Sequence, residues 1–214
     1  MPYTKSKITS QLLKQTTIDL FREKGFAKTS IREIARKTNT NVATIYYYYP
    51  NGKIDVAKKL RESHLKSCVR ALKDYIHTDD YLLYYTLLLR FLLRELSQDE
   101  REMQFYIESW SGNYDLNRSF TIETYTDAKN FHLDVDITKI HRATIIADSV
   151  WSGLYKAKQN GQIEISHKEI RDTTDVTRWT YLGLPKAHIE ETIREAETLL
   201  SSIPIHNIHI LYFE

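Results

Sequence analysis

Cysteine is almost absent. Cys68 is the single one in 214 residues, so neither an intramolecular disulfide nor a multi-cysteine zinc site is available. Glycine and proline are scarce, at 6 and 4 residues, which leaves few chain breaks and favours long helices. No apolar run reaches the ~20 residues that span a bilayer. The most apolar stretch, Tyr81 to Leu93, is interrupted by Arg90 and reads as a buried helix. The first residues lack the apolar segment of a secretory signal, so a cytoplasmic protein is expected. A glycine-rich phosphate loop, a nucleophile elbow and an HExxH motif are all missing, and no acid–base–nucleophile cluster stands out. The expectation is a non-enzyme without a cofactor. His206 and His209 lie three apart, but no other ligands accompany them and no metal site is expected.

What is present is an uneven charge. Residues 1–60 hold 12 Lys and Arg against 4 Asp and Glu, whereas the rest hold 18 against 24. A basic first quarter on an acidic body suggests that one end meets a polyanion.

Apolar spacing divides the chain into helices. The first covers about 6–24, with Gly25 placed as a left-handed cap and Phe26 folding back on the apolar face. Ser30 and Glu33 form a capping-box pattern that opens a short helix over 31–38. Asn39-Thr40-Asn41 breaks it, and Asn41 can cap a third helix from Val42 to Tyr48. Pro50-Asn51-Gly52 stops that one, and a fourth runs from Lys53 to about Tyr75. Further helices are predicted near 80–97, 99–111, 116–131, 136–159, 167–182 and 186–202. The fold class is therefore all-α. The tail from Ile205 to Phe213 fits either an extended arm or a frayed end.

Two short helices joined by a three-residue turn make a helix-turn-helix, whose second helix enters the major groove. On that helix Ile45 and Tyr49 are placed to pack on Ile34 and Phe21. Val42 and Ala43 are small enough for close approach and can touch thymine methyls. The hydroxyls of Thr44, Tyr46 and Tyr48 can reach phosphates, and Tyr47 can lay its ring on a base or sugar. Lys53, at the start of the fourth helix, can hold a phosphate. Thr29, Ser30, Arg32 and Asn41 complete the candidate DNA-contacting set. The competing reading is an aromatic core, but four consecutive tyrosines span too much of a helix circumference to be buried together.

These motifs resemble a known family. Leu20-Phe21 with Gly25-Phe26, then Thr29-Ser30-Ile31-Arg32-Glu33-Ile34-Ala35, then Thr44-Ile45-Tyr46 with Tyr48-Tyr49 and Lys53, are similar to the N-terminal domain of TetR-family transcriptional regulators. The resemblance covers residues 8–60. Two departures are visible: Asn39-Thr40-Asn41 stands where Gly-Val-Ser is usual, and Gly52 looks like an insertion before Lys53. The resemblance implies a three-helix DNA-binding domain at 1–52 and a larger helical ligand-binding and dimerisation domain at 53–214. It implies phosphate contacts for Thr44, Tyr46, Tyr48 and Lys53, with bases facing Val42, Ala43 and Tyr47. It also implies a homodimer that binds a palindromic operator in double-stranded DNA, as a repressor released by a small effector.

The helices at 136–159 and 186–202 carry apolar stripes suited to a dimer interface, or to packing within one subunit. Phe105, Tyr106, Trp110, Tyr125 and Trp151 are candidates to line an effector pocket, and aromatic walls suit an apolar or flat ligand. Ordinary core is the alternative for each. Arg90 and Arg94, one turn apart, fit a ligand carboxylate or a surface ion pair. A regulator acting mainly through protein partners and a helical enzyme remain as other classes.

Overall fold

The computed structural model describes residues 2–110 and 136–212. They form nine α-helices: α1 (Pro2–Lys24), α2 (Ile31–Lys37), α3 (Val42–Tyr48), α4 (Lys53–Leu72), α5 (Tyr81–Leu96), α6 (Glu100–Trp110), α7 (Ile137–Gln159), α8 (His167–Leu182) and α9 (Lys186–Ser202). The helix expected at 116–131 lies outside the described residues. No helix of the described chain is long and apolar enough to cross a membrane.

Local chemistry sets the helix ends. Gly25 ends α1 at φ 84°, as its lack of a Cβ permits. Ser166 and Glu169 exchange both bonds of a capping box at the start of α8, and Gly183 closes it at φ 92°. Only half of the box expected at α2 forms: Glu33 N–H donates to Ser30 Oγ at 3.2 Å, while the Glu33 carboxylate pairs with Lys24 instead.

The described chain falls into two compact units. The first contains the chain to Ser67, Glu95–Trp110 and the segment from Asn207 onward; the second contains Cys68–Arg94 and α7–α9 through His206. This differs from the expected division at 52/53. The reason lies in the first unit's core, which α1–α3 do not close by themselves. Leu13, Leu20, Phe21, Ile34 and Ile45 are buried. Phe105 of α6 packs its ring 5.2 Å from Phe21 and 6.2 Å from Phe26. Arg61 of α4 is buried and donates through Nη1 to the Ser109 carbonyl at 2.8 Å and to Ser109 Oγ at 2.7 Å. Its burial pulls the guanidinium down to about 10, still charged at neutral pH.

His64, on α4, is buried against the segment after α9, with Nε2 2.9 Å from the Ile208 carbonyl oxygen. Burial lowers its pKa to about 4, against the opposing pull of that carbonyl. Between pH 6.5 and about 4 the unfolded chain therefore binds a proton that the folded chain refuses. The stabilisation is complete above 6.5 and disappears as pH falls through that window, a loss of up to about 3 kcal/mol. Urea unfolding at pH 7 and 4.5 should show a smaller loss for His64→Gln than for the parent. Equal losses would remove His64 from the account.

The second unit is organised around Arg90 of α5. Its side chain is 1% exposed, which replaces the expected surface ion pair with a buried one. Nε donates to Asp175 at 2.7 Å, Nη2 to Asp172 at 2.6 Å and Nη1 to Glu197 at 2.7 Å. One guanidinium thus joins α5, α8 and α9 with three charge-assisted bonds, a use of its planar fork that lysine cannot copy. Arg94, one turn on, donates to the carbonyls of Leu200, Ile203 and Pro204 at the end of α9. Tyr81, Tyr85, Ile140, Trp179 and Ile189 form an apolar cluster beside this network.

Candidate nucleic-acid interface

The turn between α2 and α3 is built by asparagines. Asn39 adopts φ 50°. Its N–H bonds to the Arg36 carbonyl at 3.3 Å, and the Thr40 N–H reaches back to the Ala35 carbonyl at 2.9 Å. That pair of bonds is the Schellman closure of a helix, with asparagine in the position that usually takes glycine. Asn41 then caps α3: its Oδ1 accepts from Thr44 N at 2.8 Å and from Thr44 Oγ1 at 3.0 Å. The departures Asn39 and Asn41 therefore serve the same turn.

Ile45 and Tyr49 anchor α3 to the core. Ile45 is 2% exposed. Tyr49 is buried, and its hydroxyl donates to the Ser10 carbonyl at 3.1 Å. The opposite side of α3 is open. Asn41, Val42, Ala43, Tyr46 and Tyr47 are exposed, Tyr47 by 78%. Thr44 and Tyr48 are half-buried, and the Tyr47 and Tyr48 rings meet edge-on at 5.0 Å. Ser30, Arg32, Arg36, Lys28 and Lys37 are exposed around this face. Lys37 is partly neutralised by Glu23, 2.8 Å away, and that contact lowers the Glu23 carboxyl.

Two expected contacts are placed differently. Thr29 is buried, and its hydroxyl donates to the Gly25 carbonyl at 2.8 Å, so it supports the loop and is not on the surface. Lys53 points its ammonium at the same loop, donating to the Phe26 carbonyl at 2.6 Å and the Thr29 carbonyl at 2.7 Å. The ammonium also lies 4.2 Å from the centre of the Phe26 ring. Partial burial lowers its pKa, with the Glu108 carboxylate pulling the other way. The residue read as an insertion, Gly52, is required for its own conformation. Gly52 is buried at φ 63°, and a Cβ there would stand 2.7 Å from Ile31 Cδ1.

Glu108 was not foreseen. Its Oε2 accepts the Ala27 N–H at 2.8 Å, across 81 residues of sequence. No local pattern marks such a contact, because it arises only once α6 packs on the loop before α2.

Among the described residues, the aromatic set proposed for a pocket is divided between the two units. Phe105 belongs to the core of the first unit. Tyr106 and Trp110 stack on each other there at 5.7 Å, and Trp110 lies against Arg61. Trp151 is buried in the second unit, 6.2 Å from the Tyr155 ring. Tyr125 lies outside the described residues. His206 and His209 also separate: His206 sits 5.5 Å from both the Tyr75 and Phe91 rings, while His209 Nδ1 is 3.2 Å from Glu102 Oε2.

Residues 14–57 match the family model for bacterial regulatory proteins of the tetR family. The biofilm operon icaADBC HTH-type negative transcriptional regulator IcaR of Staphylococcus aureus is 27% identical over 175 residues, covering 72% of this chain and 89% of that protein. Its counterpart from Staphylococcus epidermidis is 28% identical over 135 residues, covering 61% and 68%. Among solved structures, the full-length TetR regulator TylP from Streptomyces fradiae superposes with a TM-score of 0.50 at 13% identity, over 92% of this chain and 98% of that one. At that identity the likeness concerns the fold.

Proposed function

From the premise that this chain belongs to the TetR family of transcriptional regulators, we propose that it is a dimeric repressor that reads a palindromic operator with α3 and leaves it when an effector binds the second unit. The exposed edge of α3 carries the reading: a small-residue N-terminus at Val42 and Ala43, followed by outward phenols at Tyr46 and Tyr47. Small residues admit the helix to the groove, where methyl and ring contacts discriminate bases. Ser30, Arg32, Thr44 and Tyr48 supply positioning contacts to phosphates. Lys53 and Thr29 act one step back, holding the loop that presents α2. The negative role carries over from the staphylococcal relatives' names, and the twofold operator follows from a twofold dimer.

For the effector, Trp151 is the pocket candidate that remains in the second unit. The class stays apolar or aromatic, because the buried cations described there are already joined to carboxylates.

A genome-wide selection of bound DNA fragments tests the reading. The purified protein should enrich a palindrome, and its affinity should fall steeply with salt, as Lys28, Arg32 and Arg36 displace counterions. Enrichment of no sequence would overturn it.

A further inference from the structure

We propose that residues 207–212 are a strap that seats α1 and α6 in the first unit, and that strap seating sets how firmly the reading helix is presented to DNA. The second half of this inference rests on the DNA-binding reading above.

The strap begins at Asn207, which takes φ 53°, a left-handed turn that asparagine tolerates better than most residues. Beyond it the chain has no regular secondary structure and bends at Ile210 and Leu211, both of which are buried. Its backbone meets side chains from four elements. The Ile208 carbonyl oxygen lies 2.9 Å from His64 Nε2 of α4. The Ile208 N–H donates to Glu95 Oε2 of α5 at 3.2 Å. The Leu211 N–H donates to Glu102 Oε1 of α6 at 3.1 Å. The Leu211 carbonyl accepts from Arg22 Nε of α1 at 2.6 Å, and the Arg22 guanidinium stands 4.7 Å from the Tyr212 ring.

The buried carboxylates give the strap its weight. Glu95 and Glu102 are 2% and 1% exposed. A buried carboxylate needs donors, and each of these receives a peptide N–H from the strap. Glu102 lies on the helix that also carries Phe105 and Glu108. Those two residues pack on Phe21 and Phe26 and bind the Ala27 N–H. Arg22 sits in the last turn of α1. Strap, α6 and the end of α1 thus form one hydrogen-bonded assembly around the loop that enters α2.

The test compares the full chain with a variant ended after Asn207 and with Arg22→Met, which keeps the aliphatic stem. Backbone amide exchange in α1–α3 should accelerate at least about tenfold in the shortened chain, with α7–α9 unchanged. Affinity for the selected operator should fall at least about tenfold, and Arg22→Met should show both effects in smaller measure. Exchange and affinity within twofold of the full chain in both variants would overturn the strap. So would acceleration spread equally over α7–α9. If the shortened chain does not fold, Arg22→Met carries the comparison alone. A full chain that selects no DNA defeats the DNA-binding reading, while the exchange arm still decides whether the strap seats α1 and α6.

Discussion

Ala43→Glu is expected to remove operator binding while leaving the protein folded. Ala43 is exposed in the first turn of α3, beside Val42 and one turn before Tyr47. A carboxylate there interacts favourably with the helix N-terminus, by about 0.3–1 kcal/mol, so melting should hold or rise slightly. In the groove the same charge meets phosphates and displaces methyl contacts. Like-charge juxtaposition at an interface costs several kcal/mol, so the loss should exceed about 100-fold in affinity. Fluorescence anisotropy with the selected operator reads the binding, and thermal melting reads the fold. Binding within threefold of the parent would mean that DNA is read by another surface.

The second large effect is on stability. Arg90→Met should destabilise the protein by about 3–5 kcal/mol, the usual result of removing one partner from a buried charge cluster. Methionine fills much of the arginine stem's volume, so the loss comes chiefly from charge. Asp172, Asp175 and Glu197 would remain, Asp175 at 4% side-chain exposure with its carboxyl already pushed by burial up to about 6. Without Arg90, which opposes the effect of burial, the Asp175 carboxyl is pushed further above its unfolded value. Folding then favours the protonated form of Asp175, and the variant does best below the unfolded carboxyl range, near 4. Its deficit against the parent should therefore widen from pH 4.5 to pH 7. Chemical denaturation at both values checks this, and a deficit independent of pH would assign the loss to packing.

Much of this was legible in the sequence. The ends of α2 and α3 followed from Ser30, Asn39 and Asn41, because caps and left-handed turns are chosen by the few residues beside them. The outward tyrosines followed from angular spacing alone. Other features depended on residues distant in sequence. Glu108 meets Ala27, Phe105 meets Phe21, and Glu102 meets Leu211 only after α6 and the last segment have packed. Phe105 was for that reason open to either a pocket or a core, and it lies in a core. Lys53 illustrates a subtler limit. Its place soon after α3 was clear, but the side chain can turn toward a phosphate or toward two carbonyls, and the spacing of Gly52 does not distinguish them.

The three phenylalanines at 21, 26 and 105 bear on how this architecture can be rebuilt. Two belong to the segment around the helix-turn-helix, and the third arrives about eighty residues later. The first fifty residues are consequently not a transplantable cassette. Grafted onto a foreign body, they would carry two uncovered rings and an Ala27 amide without its carboxylate. On the proposed function, a chimera that exchanges DNA specificity would need α6 to travel with them, or would need only the outward positions of α3 rewritten in place.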